Sequence, residues 1–142
     1  QEKIASLAEN LLITPWLNQS MSTLSKGTRQ RVHLVASILP DPEILLLDEP
    51  TDGLDPLQQE KILTFLATLA KTRAVVISTH QLHDVVPYFN RVLALKNGKL
   101  MADTTPAELT RQGGGDIAIA YRTMMGNKNI THTPKKAKGK KL

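Results

Sequence analysis

Apolar residues recur along the chain in two different periods. Over residues 2–12, Ile4, Leu7, Ala8 and Leu11 fall three and four apart, the stripe of an amphipathic helix that Thr14-Pro15 ends. Trp16, Leu17 and Met21 form an irregular link to Ser25, a natural N-cap, behind which Val32, Val35, Ala36 and Leu39 predict a second helical face. Ile44 to Leu47 then form an uninterrupted apolar run between Asp41-Pro42 and Pro50, which predicts a short strand buried on both faces. Asp55, Pro56 and Gln58 carry a helix start signal, and Ile62, Phe65, Leu66 and Leu69 give that helix its face to about Lys71. The β-branched run Ala74–Ser78 predicts the next strand, parallel to the first. Further on, Asn97-Gly98 between two alternating segments predicts a hairpin, and Thr105-Pro106-Ala107-Glu108 a full capping box for a helix to about Gln112. Gly113 to Gly115 break that helix, and Ile117 to Tyr121 predict one more short strand or helix.

Strands alternating with helices imply an α/β fold with parallel core strands. In such folds ligands bind beyond the C-terminal ends of the strands, so Asp48 and Glu49 are expected at that rim. One acid there can hold a magnesium ion while its neighbour orients and deprotonates a water; the plain alternative is an acidic turn closing an apolar strand. His80, after Ser78-Thr79, falls on the same rim if the strands are parallel and is the best candidate catalytic histidine. His83 and Asp84 complete a metal-like spacing with it, but no further ligand is evident, and His33 reads as packed or solvent-facing.

Taken together, Leu24-Ser25-Lys26-Gly27-Thr28, Asp48-Glu49-Pro50-Thr51-Asp52-Gly53-Leu54-Asp55 and Ser78-Thr79-His80 resemble, in order and spacing, three motifs of the ATP-binding cassette (ABC) ATPases: signature, Walker B with its D-loop, and histidine switch loop. The resemblance covers about residues 1–110. It implies a partial P-loop NTPase domain in which Asp48 serves magnesium, Glu49 is the catalytic base and His80 contacts the γ-phosphate of ATP. It also implies that Ser25, Lys26 and Gly27, at a helix N-terminus, meet ATP bound to a second ATPase subunit. Asp55 has two readings, a D-loop residue at the dimer seam or a plain helix cap. Lys26 stands where the family has glycine and Thr28 where it has glutamine; the sequence leaves open whether Lys26 adds charge near the phosphates or points to solvent. A start of Leu-Ser-Lys-Gly is similar to the ATPase subunits of multidrug, gliding-motility and related export systems.

No Gly-x-x-x-x-Gly-Lys-Ser/Thr occurs in the 142 residues, and the family's Q-loop would precede Gln1. The expectation is therefore the C-terminal portion of an ABC ATPase domain over 1–112: a helical and signature region (1–40), a catalytic core (43–90), and a hairpin and helix (91–112). Residues 113–142 are expected to be an extension with a Lys-rich, disordered tail. Opening at Gln1 without methionine, the chain reads as cut from something longer and inactive alone. The complete subunit would hydrolyse ATP to drive membrane export, peripheral on the cytoplasmic face through a transmembrane permease. The alternatives are an ABC ATPase acting as a switch, or an inactive regulatory fragment. The formal charge of +5 adds no nucleic-acid partner: seven of the 18 Lys and Arg and none of the 13 acids lie from Ile117 onward, without interleaved aromatics, so residues 1–116 are net −2. With no cysteine, disulfides and thiolate metal sites are excluded, and no apolar run approaches the ~18 residues of a membrane span.

Overall fold

The structure, a computed structural model, describes residues 1–126, which divide into two compact units: Gln1–Phe89 and the segment from Asn90 on. The expected Lys-rich tail, including Lys135 to Lys141, lies outside the described residues.

In the first unit α1 (Glu2–Asn10) is followed by two single 3₁₀ turns (Thr14–Trp16 and Met21–Thr23), then α2 (Lys26–Ile38), β1 (Ile44–Asp48), α3 (Pro56–Leu69), β2 (Ala74–Ser78) and the one-turn α4 (Leu82–Val85). The strands pair in parallel with Ile44 opposite Ala74 and Asp48 opposite Ser78, so both C-terminal ends reach one rim. Leu7, Ala8 and Leu11 of α1, Leu34, Val35 and Ile38 of α2, Leu45 of β1, and Ile62 and Leu66 of α3 form one cluster with Ile13. Each of these larger side chains contributes about 1.5–3 kcal/mol by leaving water.

Several local expectations shift once packing is seen. Strand β1 is buried on one face only: Leu45 is 3% exposed, whereas Ile44 and Leu46 are 64% and 72% exposed, joined by Val76 of β2 at 51%. The helices of this unit cover a single side of the two-stranded sheet, and a period of two leaves alternate side chains on the uncovered side. On α2 the buried stripe is Thr28, Arg31, Leu34, Val35 and Ile38, about one position round from the expected face; Ala36 and Leu39 are exposed. On α3 Leu63 is buried with Ile62 and Leu66, while Phe65 and Leu69 pack only partly. Helix α1 ends at Asn10, ahead of Thr14-Pro15, because Leu12 turns the backbone left-handed (φ 57°) and Ile13 N–H donates to Ala8 O at 2.8 Å.

The second unit holds the antiparallel hairpin β3 (Val92–Lys96) and β4 (Lys99–Thr104), then α5 (Pro106–Gln112) and α6 (Ile117–Met124). Asn97 and Gly98 both take positive φ (50° and 71°), as a two-residue type I′ turn requires. Thr105 caps α5 by accepting from Glu108 N–H, but the Glu108 carboxylate turns to Arg111 and Gln112, so only half of the capping box forms. Gly113 is sterically obligatory: a Cβ there would lie 1.8 Å from Asp116 O. Residues 117–124 are helical, capped by the Asp116 carboxylate, which accepts from Ala118 N–H at 2.8 Å. Among the described residues no helix is long and apolar enough to cross a membrane.

Candidate functional site

The parallel register brings the ends of two separate stretches to one rim. Asp48 ends β1, Ser78 ends β2 directly opposite it, and the Ser78 hydroxyl donates to Asp48 Oδ1. The donor set, a carboxylate and a hydroxyl on an exposed rim, has the hard-oxygen chemistry magnesium prefers. Among the described residues no group of three or more His, Cys, Asp or Glu converges on a point. Such a site fits an ion completed by phosphate oxygens and water rather than an all-protein cage.

Glu49 turns away from the strand. Its φ of 44° is left-handed, costing a non-glycine residue about 1–2 kcal/mol, and the surroundings hold it there. Its N–H donates to Ser78 O at 3.0 Å, and its carbonyl accepts from Asp52 N–H at 3.1 Å and from the Gln30 side chain of α2. The carboxylate is equally engaged. Oε2 accepts from the Thr79 hydroxyl at 3.1 Å, and Oε1 accepts from His80 N–H at 2.9 Å and lies 2.6 Å from His80 Nδ1. That contact raises the pKa of the His80 imidazole above its ordinary value, first through the hydrogen bond, then through the Glu49 charge, with Asp52 adding to it. With Nδ1 committed to Glu49, the exposed ring keeps Nε2 for a second partner.

The other expected positions fall on the N-terminus of α2 and the loop facing it. Ser25 caps the helix, its Oγ accepting from Thr28 N–H at 3.2 Å and lying 2.8 Å from the Thr28 hydroxyl. Lys26 pairs with Asp52, in the loop after Glu49, at 3.2 Å while its side chain remains 81% exposed, an ion pair that neither of its two readings included. A Cβ on Gly27 would make only an ordinary contact, 3.5 Å from Leu54 Cδ2, and its φ is not positive. Neither the fold nor the backbone therefore demands glycine there. Asp55 Oδ1 caps α3 by accepting from Gln58 N–H at 3.0 Å, so the structural reading of Asp55 is present in the folded chain.

Residues without a role in the sequence reading complete the picture. Arg31 is 5% exposed, donates to Leu12 O at 3.0 Å and Thr28 Oγ1 at 3.3 Å, and lies 5.4 Å from the Trp16 ring centroid. It ties the irregular link to α2. Gln30 and Thr79 were equally silent; only their nearness to Ser25 and His80 offered a signal.

A family model described as "AAA domain, putative AbiEii toxin, Type IV TA system" matches residues 17–83. The energy-coupling factor transporter ATP-binding protein EcfA2 of Ligilactobacillus salivarius is 38% identical over 112 residues, 76% of this chain and 39% of its own length. The phosphonates import ATP-binding protein PhnC 1 of Ruegeria sp. is 37% identical over 107 residues, 74% of this chain and 42% of its own. The chain thus spans less than half the length of these curated relatives. Among solved structures, an ATP-binding subunit of an ABC transporter is 27% identical with a TM-score of 0.75, covering 87% of this chain and 53% of that one. The dimeric ABC transporter cassette MJ0796 is 26% identical with a TM-score of 0.67, covering 73% of this chain and 46% of that one. With the rim geometry, the motif order and these relatives in agreement, the chain belongs to the ABC ATPases, of which it carries part of one cassette.

Proposed function

We propose that this chain is the signature and Walker B portion of the nucleotide-binding subunit of an ABC transporter, which binds ATP with magnesium and hydrolyses it to drive transport. The observation that carries the proposal is Glu49, held left-handed beside Asp48 with its carboxylate on His80. Glu49 takes the proton of the attacking water as the water's oxygen adds to the γ-phosphorus and ADP departs as leaving group. His80, more readily protonated than a free imidazole, keeps that carboxylate in place and offers its remaining N–H to the γ-phosphate. Asp48, oriented by Ser78, would hold magnesium, which supplies charge neutralisation on the phosphates.

The loop that cradles the phosphates has no counterpart in the 142 residues, so a complete nucleotide pocket needs a further segment. The uncovered apolar face of Ile44, Leu46 and Val76 supports completion by the remainder of a cassette. Ser25, Lys26 and Gly27 face nucleotide held by a second ATPase subunit, with Asp55 at the seam, a reading supported by the likeness to the dimeric cassette MJ0796. A transmembrane permease on the inner face of the membrane is the other partner. The signature favours export, while relatives are named for import and for an energy-coupling factor; the membrane partner sets direction and substrate. The toxin-related family description favours a non-transport reading, but it matches only residues 17–83, whereas the transporter relatives align over about three quarters of the chain.

The test is Glu49→Gln in a complete cassette carrying this chain. Loss of a general base lowers turnover by about 10² to 10⁴-fold, with ATP binding retained because Asp48 and the phosphate loop are untouched. Wild-type turnover would remove Glu49 from the mechanism.

A further inference from the structure

The base is held from a direction that its own strand does not explain. The Glu49 carbonyl oxygen has two donors: Asp52 N–H, which closes the turn after β1, and the side-chain amide of Gln30, which reaches across from α2. Since a carbonyl only accepts, the Gln30 atom pointing at it must be Nε2–H₂. One turn earlier on the same face of α2, Lys26 pairs with Asp52 at the other end of that turn. The helix that opens at Ser25 therefore grips the Glu49–Asp52 turn at both ends. The exposed Lys26 pair is the weaker grip, because solvent screens it. The half-buried Gln30 is the stronger.

We propose that Gln30 is a positioning residue for Glu49, holding the left-handed backbone that brings its carboxylate onto Thr79 and His80, and that through it the signature end of α2 sets the base of its own chain. The proposal rests on the reading of Glu49 as base. Without Gln30 the Glu49 carbonyl keeps only the 3.1 Å turn bond, and a residue at φ 44° relaxes toward the right-handed region that L side chains prefer. The carboxylate then leaves the 2.9 Å bond to His80 N–H. A displacement of this kind acts on turnover rather than on nucleotide affinity, because the hydrogen bond of Gln30 goes to the backbone of the base. Movement of α2 when Ser25–Gly27 meet nucleotide would reach Glu49 along the same contact.

The experiment compares Gln30→Met, close in size but without a donor, with Gln30→Lys, which restores one. In the 142-residue chain the His80 amide proton, bonded to a carboxylate, is expected well downfield; it should move upfield in Gln30→Met and return in Gln30→Lys. In a complete cassette carrying the chain, Gln30→Met should lower kcat about tenfold or more with KM unchanged, since small misplacements of reacting groups cost up to ~10²-fold. Gln30→Lys should recover to within about threefold. A wild-type His80 amide in Gln30→Met, an amide shift without loss of kcat, or a lysine variant as impaired as the methionine one would each overturn the proposal. The amide signal needs no turnover, so full activity of Glu49→Gln would sink the catalytic reading while leaving the contact itself measurable.

Discussion

Arg31 gives a sharp test of how the region before the signature is held to the core. Truncation to alanine removes a charged donor from Leu12 O at 3.0 Å, in a turn where Leu12 is already left-handed at φ 57°. A hydrogen bond from a charged donor contributes about 1.5–3 kcal/mol. The Trp16 ring, 5.4 Å away, adds about 0.5–1 kcal/mol at a partly exposed site. The longer contacts, to Gly27 O at 3.4 Å and Thr28 Oγ1 at 3.3 Å, add little. Against these stands the cost of burying a guanidinium, which lowers the pKa of Arg31 despite the opposing charge of Asp55. The balance is a loss of about 2–3 kcal/mol for Arg31→Ala. Arg31→Met keeps the apolar stem packed and should recover about 1 kcal/mol of that. With a urea slope of ~1–3 kcal/mol/M, the alanine midpoint should fall by roughly 0.7–3 M in equilibrium denaturation followed by circular dichroism. An Arg31→Ala protein within ~0.5 kcal/mol of wild type would refute this account of the link.

Two further outcomes follow from the charges at the rim. The folded-state pKa of His80 is raised, so the stability it contributes is fully present below its unfolded value of ~6.5 and is lost as pH rises through the folded value. Proton NMR of the His80 ring should show the higher midpoint in wild type and its return toward ~6.5 in Glu49→Gln; an unchanged midpoint in that variant would separate the two side chains. The 142-residue chain alone should not bind magnesium-ATP with micromolar affinity, because Asp48 and Glu49 meet a polyphosphate without the cationic loop. Each uncompensated like-charge pair at ~4 Å opposes binding by ~4 kcal/mol at an effective dielectric near 20, about three decades of affinity. Saturable micromolar binding in titration calorimetry would contradict this.

Local chemistry made much of the chain legible without coordinates. Ser25, Asp55 and Thr105 each cap the helix expected of them, because a short side-chain acceptor beside free N–H groups acts within four residues. Asn97-Gly98 makes its turn for a similarly local reason, the positive φ both positions tolerate. The parallel pairing of Ile44–Asp48 with Ala74–Ser78 followed from apolar runs on either side of a helix, and it brings Asp48, Glu49 and His80 to one rim. What depended on tertiary structure was which face is covered and what crosses between elements. An apolar run such as Ile44–Leu47 does not say how many layers pack on it, and here one side is open. The stripe on α2 sits one position round because Arg31, polar in sequence, is buried once Leu12, Thr28 and Trp16 satisfy it. Gln30 reaches Glu49 across 19 positions, and Lys26 reaches Asp52 across 26. No periodicity or local propensity encodes such contacts, because they exist only after α2 has packed beside the turn that follows β1.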